Sequence, residues 1–293
     1  MIWCDDLAAI CQRDVPLREH TWYGLGGPAR WFLSPRDTAE LGQVLAHCRT
    51  HGVPWRVLGH GANVLVRDAG FDGAVIRLTG PAWEAIQIDG QRVRVAAGAS
   101  FPTLVKRTVE QGLGGLENLA GIPGTLGGAV RMNAGGKYGN IGQYVQGVRV
   151  LAPDGDEQAR TAAEMHFGYR SSRLDGGVVL ETILELTAGE PDALLARFRE
   201  VWQEKHASQP AVSAKSAGCV FKNPPGQAAG ALIDRAGLKG QRRGGAEIST
   251  RHANFIVAYA GATAQDVLDL IALAKDRVHE NAGIELELEI EVW

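Results

Sequence analysis

The stretch "KSAGCVFKNPPG", residues 215–226, holds a cysteine, Cys219, far from the other three. A thiol has a reference pKa of about 8.5 and can pack, bind metal, close a disulfide or move a proton. No C-x-x-C pair exists in the chain, which disfavours zinc and a disulfide framework. Packing and proton transfer remain for Cys219. The tail "IELELEIEVW" is a second place with chemical potential. Ile284, Leu286, Leu288, Ile290 and Val292 alternate there with Glu285, Glu287, Glu289 and Glu291. The period of two predicts a half-buried strand with the carboxylates on its other face. Alternation leaves the four glutamates equivalent, and each taken alone reads as a solvated residue.

Glycine supplies the third signal. The chain has 38 glycines in 293 residues, about twice the usual share of about 7%. In "VLGHGANVLV", residues 57–66, Gly59 and Gly61 stand between two apolar runs. Amides in such a turn can form an anion-binding nest, and His60 can contact a ligand there. The loop is neither a Walker loop nor a dinucleotide fingerprint, because the lysine and the third glycine are missing. The stretch 115–142, "GLENLAGIPGTLGGAVRMNAGGKYGNIG", is denser still. It reads as a long glycine-rich loop within residues 112–142. Its apolar residues Leu119, Ile122, Leu126, Ala129, Val130 and Met132 argue against disorder. Amides beside apolar surface suit a large cofactor with a flat ring and phosphates.

The elements around these segments are legible in part. Residues 37–51 predict a helix capped by Asp37 or Thr38 and ended by Gly52. "WRVLG" predicts a short strand, and "AIQIDGQRVRVAAG" a hairpin turning at Asp89-Gly90. "SFPTLVKRTVEQG" predicts a helix capped by Ser100. A second hairpin turns at "PDG", residues 153–155, and "VVLETILEL" reads as a strand. "EPDALLARFREVWQEKHASQ" predicts an amphipathic helix, with "PAVSAKS" after it as a linker. "QAAGALIDRAG" is a helix stopped by Gly237, "HANFIVAYAG" a strand, and "ATAQDVLDLIALAKDRVHENAG" a long helix between Thr263 and Gly283. Hairpins interrupt any regular βαβ alternation, so the expectation is α+β.

Bulk properties narrow the class. Hydrophobic content of 45% and charged content of 22% are those of a globular protein with a sizeable core. A net charge of −3 gives no reason to expect a nucleic acid or an anionic membrane as partner. No apolar run approaches the roughly 20 residues of a membrane span. The acidic start "MIWCDDLAAICQRD" is unlike a signal peptide. Cys4 and Cys11 read as one face of a helix, and Cys48 as a packing residue. Reduced thiols and a cytoplasmic setting follow.

The ordered motifs "GHGANVLV", "GIPGTLGGAVRMNAGG", "FGYRSSRL", "SAGCVFKNPPG", "GLKG", "GGAEIS", "HANFIV" and "GIELELEI" resemble those of the UDP-N-acetylenolpyruvoylglucosamine reductases, the MurB enzymes. The likeness runs from about Thr21 to Glu289, and the absence of an evident tyrosine-bearing insertion resembles the shorter type II subgroup. It implies a two-lobed FAD-binding domain of the vanillyl-alcohol-oxidase (PCMH) type, with lobes at 1–79 and 80–190, and a C-terminal α+β substrate domain at 205–293. It implies FAD and NADPH as cofactors and a nucleotide-sugar substrate in peptidoglycan precursor synthesis. NADPH would reduce FAD, and hydride would pass from flavin N5 to the enolpyruvyl methylene carbon. A monomer is expected.

The resemblance also assigns residues. It puts Gly59, His60, Gly61, Ala62, Asn63 and Val64 at the cofactor. Gly121, Ile122, Pro123, Gly124 and Thr125 join them, followed by Gly127, Gly128, Ala129, Asn133 and Gly135. Arg170 of "FGYR" would stabilise the enolate-like intermediate, with Arg173 a competitor by position alone. Cys219 takes the place of the family's proton-donating serine, and a thiol is the stronger acid. Glu289 is the family's carboxyl beside the reacting carboxylate. Asn223 and His252 fall at substrate positions, and Lys205, Lys215 and Lys222 can meet a diphosphate or simply be solvated. The alternatives are a flavin oxidase or dehydrogenase with another substrate, and a non-catalytic flavin or nucleotide-sugar binding protein.

Overall fold

A computed structural model describes residues 7–293. The chain forms two compact units. The first takes residues up to 13, then 31–59 and 73–204; the second takes 14–30, 60–72 and 205–293. Each has its own apolar core.

The first unit is built on a five-stranded antiparallel sheet. Its order is Glu157–Thr161, Val145–Leu151, Val178–Glu185, Arg92–Ala96 and Ile86–Asp89. Both expected hairpins lie in it. Asp89 pairs with Arg92 around Gly90, whose φ of 55° is the left-handed conformation that a two-residue turn demands. Leu151 pairs with Glu157 across the "PDG" turn. Nearby, Trp55–Val57 runs parallel to residues 74–76 of the strand Phe71–Ile76. The helix Thr38–His51 starts where Asp37 accepts a hydrogen bond from Glu40 N, and stops at left-handed Gly52. The helix Phe101–Glu110 is capped by Ser100. The amphipathic stretch forms the helix Pro191–Ser208. Cys48 is buried, and burial pushes its thiol up to about 11, so it packs as expected.

The glycine-rich stretch 112–142 is not the long loop expected. It contains the strand Leu113–Gly114, a 3-10 turn Leu116–Leu119, the helix Leu126–Arg131 and a small hairpin of Gly135–Gly136 with Gly139–Asn140. The reason is apolar spacing: Leu126, Ala129 and Val130 fall on one helical face and all are buried. That helix packs on Val178–Glu185.

The second unit pairs Arg242–Arg243, Ala246–Ile248 and Ile256–Ala258 in an antiparallel sheet. The helices Ala229–Arg235 and Ala264–Ala282 share a core with it. The longer helix has a reciprocal cap between Thr263 and Asp266 and ends at left-handed Gly283. Three expectations need correction. The strand read at 252–261 is only Ile256–Ala258, because the chain turns at His252, whose carbonyl accepts Phe255 N. The tail is not one continuous strand. Only Glu291–Val292 is a strand, parallel to Val64–Leu65, with an isolated bridge from Leu288 to Phe221. Cys11 opens the strand Cys11–Pro16 and lies on no helix, while Cys4 lies outside the described residues. Among the described residues no helix is long and apolar enough to cross a membrane, and no His, Cys, Asp and Glu cluster could hold a metal.

Candidate active site

In the first unit, the segment around Thr125 is held edge to edge against residues 97–101. Leu126 N donates to Ala99 O at 2.9 Å, Gly127 N to Ala97 O at 2.8 Å, and Phe101 N to Gly124 O at 3.0 Å. Thr125 caps the following helix at Gly128 N. Gly59 abuts the same threonine, since a Cβ there would lie 2.5 Å from Thr125 Oγ1. Gly127 is pressed against Ala97. The neighbouring glycines are open instead. A Cβ added at Gly124 would meet nothing within 4 Å, and one at Gly128 would meet only Thr125 Oγ1, at 3.5 Å. Gly121 and Gly128 are exposed, and Ile122 and Pro123 are half-buried. Gly121 and Gly124 have φ of 76° and 113°, which glycine adopts without cost. The result is an exposed backbone ridge beside apolar side chains, a fit for the flat ring and phosphates of FAD.

Arg170 stands at the tip of a tight turn in this unit. Gly168 and Ser171 exchange both backbone hydrogen bonds, at 3.0 and 3.3 Å. Arg170 itself has φ of 54°, a conformation unusual for a side chain of its size. Its Nη1 donates to Gly135 O at 2.9 Å, and its guanidinium lies 5.4 Å from the centre of the Tyr169 ring. Arg173 faces elsewhere: it is exposed and bonded to Asp175. Asn133 is buried, bonded to Gly168 O and Gly142 N. Ala129 is buried in the core, and Gly135 pairs with Asn140.

In the second unit, the loop 60–64 and the tail form one assembly. A Cβ on Gly61 would fall 2.2 Å from His20 O, so only glycine fits. Asn63 Nδ2 donates to Glu289 O at 3.1 Å, and Asn63 O accepts Glu291 N at 2.9 Å. Val64 pairs with Glu291. His60 and Ala62 lie in the turn before it, both half-buried. On the other side of the tail, Glu289 N donates to Val220 O at 2.8 Å. Cys219 is the residue before Val220, so its backbone adjoins that of Glu289. Cys219 and Glu289 are both half-buried, whereas Glu285 and Glu287 are exposed. Structure thus separates Glu289 from two of its neighbours, where alternation did not.

Asn254 is a contributor that sequence reasoning passed over. It is buried; its Nδ2 donates to Phe221 O at 2.8 Å and its Oδ1 accepts Phe221 N at 2.9 Å, while Val220 N donates to its carbonyl. It clamps the segment that carries Cys219. Asn254 closes the motif "HAN", two residues after the histidine that the resemblance selects. His252 is half-buried against Phe255, and burial lowers its pKa, aided by the positive charge of Lys239. Asn223 is exposed and accepts Ala229 N at the start of a helix. Lys222 pairs with Glu287, and Lys215 lies along Gly24. Lys205 lies in the last turn of the helix Pro191–Ser208.

Residues 29–159 match the FAD binding domain family, in keeping with the open glycines Gly124 and Gly128. The chain is a FAD-binding protein. Residues 209–293 match the C-terminal domain of UDP-N-acetylenolpyruvoylglucosamine reductase. The chain is 44% identical to the UDP-N-acetylenolpyruvoylglucosamine reductase of Moorella thermoacetica, over 95% of this chain and 91% of that one. It is 45% identical to that of Syntrophotalea carbinolica, over 96% and 93%. The crystal structure of UDP-N-acetylenolpyruvylglucosamine reductase (MurB) from Thermus caldophilus superposes with a TM-score of 0.83 at 42% identity, covering 97% of this chain and 98% of that one. The chain belongs to the UDP-N-acetylenolpyruvoylglucosamine reductase family.

Proposed function

We propose that this protein reduces UDP-N-acetylglucosamine enolpyruvate to UDP-N-acetylmuramate with NADPH, through FAD, in peptidoglycan precursor synthesis. The observation that carries the reading is family identity along nearly the whole chain, including the domain that follows the cofactor-binding part. The cytoplasm is the compartment, and a monomer the proposed state. The proposed division is into FAD lobes at 1–79 and 80–190 and a substrate domain at 205–293.

The ridge Gly121–Thr125 with Gly127 and Gly128, and the loop Gly59–Val64, would hold FAD. When bound, FAD supplies the hydride for the enolpyruvyl methylene carbon. The protein's own groups do the rest. Arg170 offers a fixed positive charge where negative charge develops on the carbon beside the carboxylate. Glu289, as the protonated acid, donates a hydrogen bond that holds and polarises that carboxylate. Cys219 gives its proton to the same carbon, so that hydride and proton together saturate the double bond. The thiolate regains a proton from water between turnovers. Asn223 and His252 contact the substrate.

The test is spectroscopic. Protein reconstituted with FAD should be yellow and bleach on adding NADPH. Under anaerobic conditions the colour should return only with the enolpyruvyl sugar nucleotide. Colour that returns equally with an unrelated electron acceptor, and not with that substrate, would make the chain a flavin enzyme of another kind.

A further inference from the structure

Two non-glycine residues with left-handed backbone, Asn133 at φ 41° and Arg170 at φ 54°, meet in one hydrogen-bonded network. Asn133 is 5% exposed, and both ends of its amide are engaged. Nδ2 donates to the Gly168 carbonyl at 2.8 Å, and Oδ1 accepts Gly142 N at 3.0 Å. Gly168 opens the tight turn that has Arg170 at its tip. The guanidinium then returns to the carbonyl of Gly135, two residues after Asn133, at 2.9 Å. A left-handed arginine persists only where its surroundings over-determine it. An amide suits this place because it donates and accepts at once, and asparagine tolerates the left-handed region.

We propose that Asn133 is a positioning residue for Arg170. Its amide pins the Gly168 carbonyl and so holds the turn in the conformation that presents the guanidinium to the substrate. This rests on the role given to Arg170 above. It assigns Asn133 to the substrate step, whereas its motif groups it with the cofactor residues.

The variant Asn133→Asp separates the two roles in FAD-loaded enzyme. Aspartate keeps the size and the acceptor for Gly142 N, but it loses the donor to Gly168 O. Reoxidation of NADPH-reduced flavin by substrate, followed in a stopped-flow instrument, should slow by about tenfold to a hundredfold. Reduction of the flavin by NADPH and the visible spectrum should stay unchanged. In an Arg170→Met background, Asn133→Asp should add little further loss. Equal slowing of both half-reactions, or effects of the two substitutions that multiply in full, would overturn the proposal. So would a crystal structure of Asn133→Asp with Arg170 still at positive φ and bonded to Gly135 O. Undiminished turnover in Arg170→Met would remove the role of Arg170 instead, and that crystal structure would still decide the positioning. If Asn133→Asp does not load flavin, Asn133→Gly takes its place. Glycine adopts the left-handed backbone freely and deletes both side-chain bonds, and the same outcomes apply.

Discussion

Arg170 in one unit and the Cys219–Glu289 segments in the other are held by different physics. Arg170 stands on a two-residue tip with a left-handed backbone, and its turn is tied down by the buried amide of Asn133. Such a conformation costs on the order of 1–3 kcal/mol and must be offset by its neighbours. Cys219 and Glu289 have no such strain. They lie on adjoining segments joined by Glu289 N to Val220 O, Lys222 N to Glu287 O and the bridge of Phe221 with Leu288. Asn254 closes the other edge by taking both backbone groups of Phe221. One group is placed by a specific side chain acting on a turn, the others by ordinary backbone pairing. The first arrangement should fail locally and kinetically when its anchor is lost, the second globally and thermodynamically.

The sharpest test of that contrast starts from Cys219 itself. Backbone pairing holds it, so the thiol can be removed without disturbing its place. Cys219→Ala should slow substrate turnover by about 10²- to 10⁴-fold, the usual contribution of a positioned acid. Flavin reduction by NADPH and the unfolding midpoint should both be retained, and Cys219→Ser should recover much of the rate. Undiminished turnover in the alanine variant would end the assignment. Sensitivity to peroxide that survives Cys219→Ser would show that this thiol is not the one oxidised.

Next in size is the clamp. Asn254→Ala leaves the N–H and C=O of Phe221 buried without their partners, and Phe221 is 2% exposed. Each such group costs about 1–3 kcal/mol, so the unit should lose about 2–6 kcal/mol in urea unfolding followed by tryptophan fluorescence. A loss below about 0.5 kcal/mol, within the scatter of surface substitutions, would mean that pairing with the tail suffices alone.

These supports were unequally legible. The caps at Asp37, Ser100 and Thr263 and the hairpin at Asp89-Gly90 follow from local chemistry, and the structure has all of them. The helix Leu126–Arg131 was hidden because glycine density outweighed a three-residue apolar face. Alternation in the tail was real but too coarse, since the backbone of Glu289 is held by Asn63 and Val220, more than 60 residues away in sequence. Asn133 and Asn254 share a cause. An amide that satisfies backbone groups 33 or 35 residues away leaves no periodic trace. Motif resemblance singled out Arg170, Cys219 and Glu289 and grouped Asn63 and Asn133 with the cofactor residues, but it gave no place to Asn254.

The smallest effect expected concerns His252, beside the clamp. Its ring is half-buried against Phe255, Nδ1 accepts Asn254 N at 3.3 Å, and Gly230 leaves the space it fills. Burial disfavours the charged imidazolium, and Lys239 opposes it further, so the folded pKa lies below the usual value. The unfolded chain, with a histidine pKa of about 6.5, therefore binds the proton more readily. The sign follows: the contribution of His252 to stability is complete above about pH 6.5 and is lost as pH falls through the lower folded pKa. Protonation also removes the Nδ1 lone pair that accepts Asn254 N, which loosens the clamp from its own end. His252→Gln should flatten the pH dependence of unfolding below about pH 6.5 while leaving it unchanged at pH 8. The same slope in both proteins would place the acid sensitivity elsewhere and leave the clamp independent of its neighbouring ring.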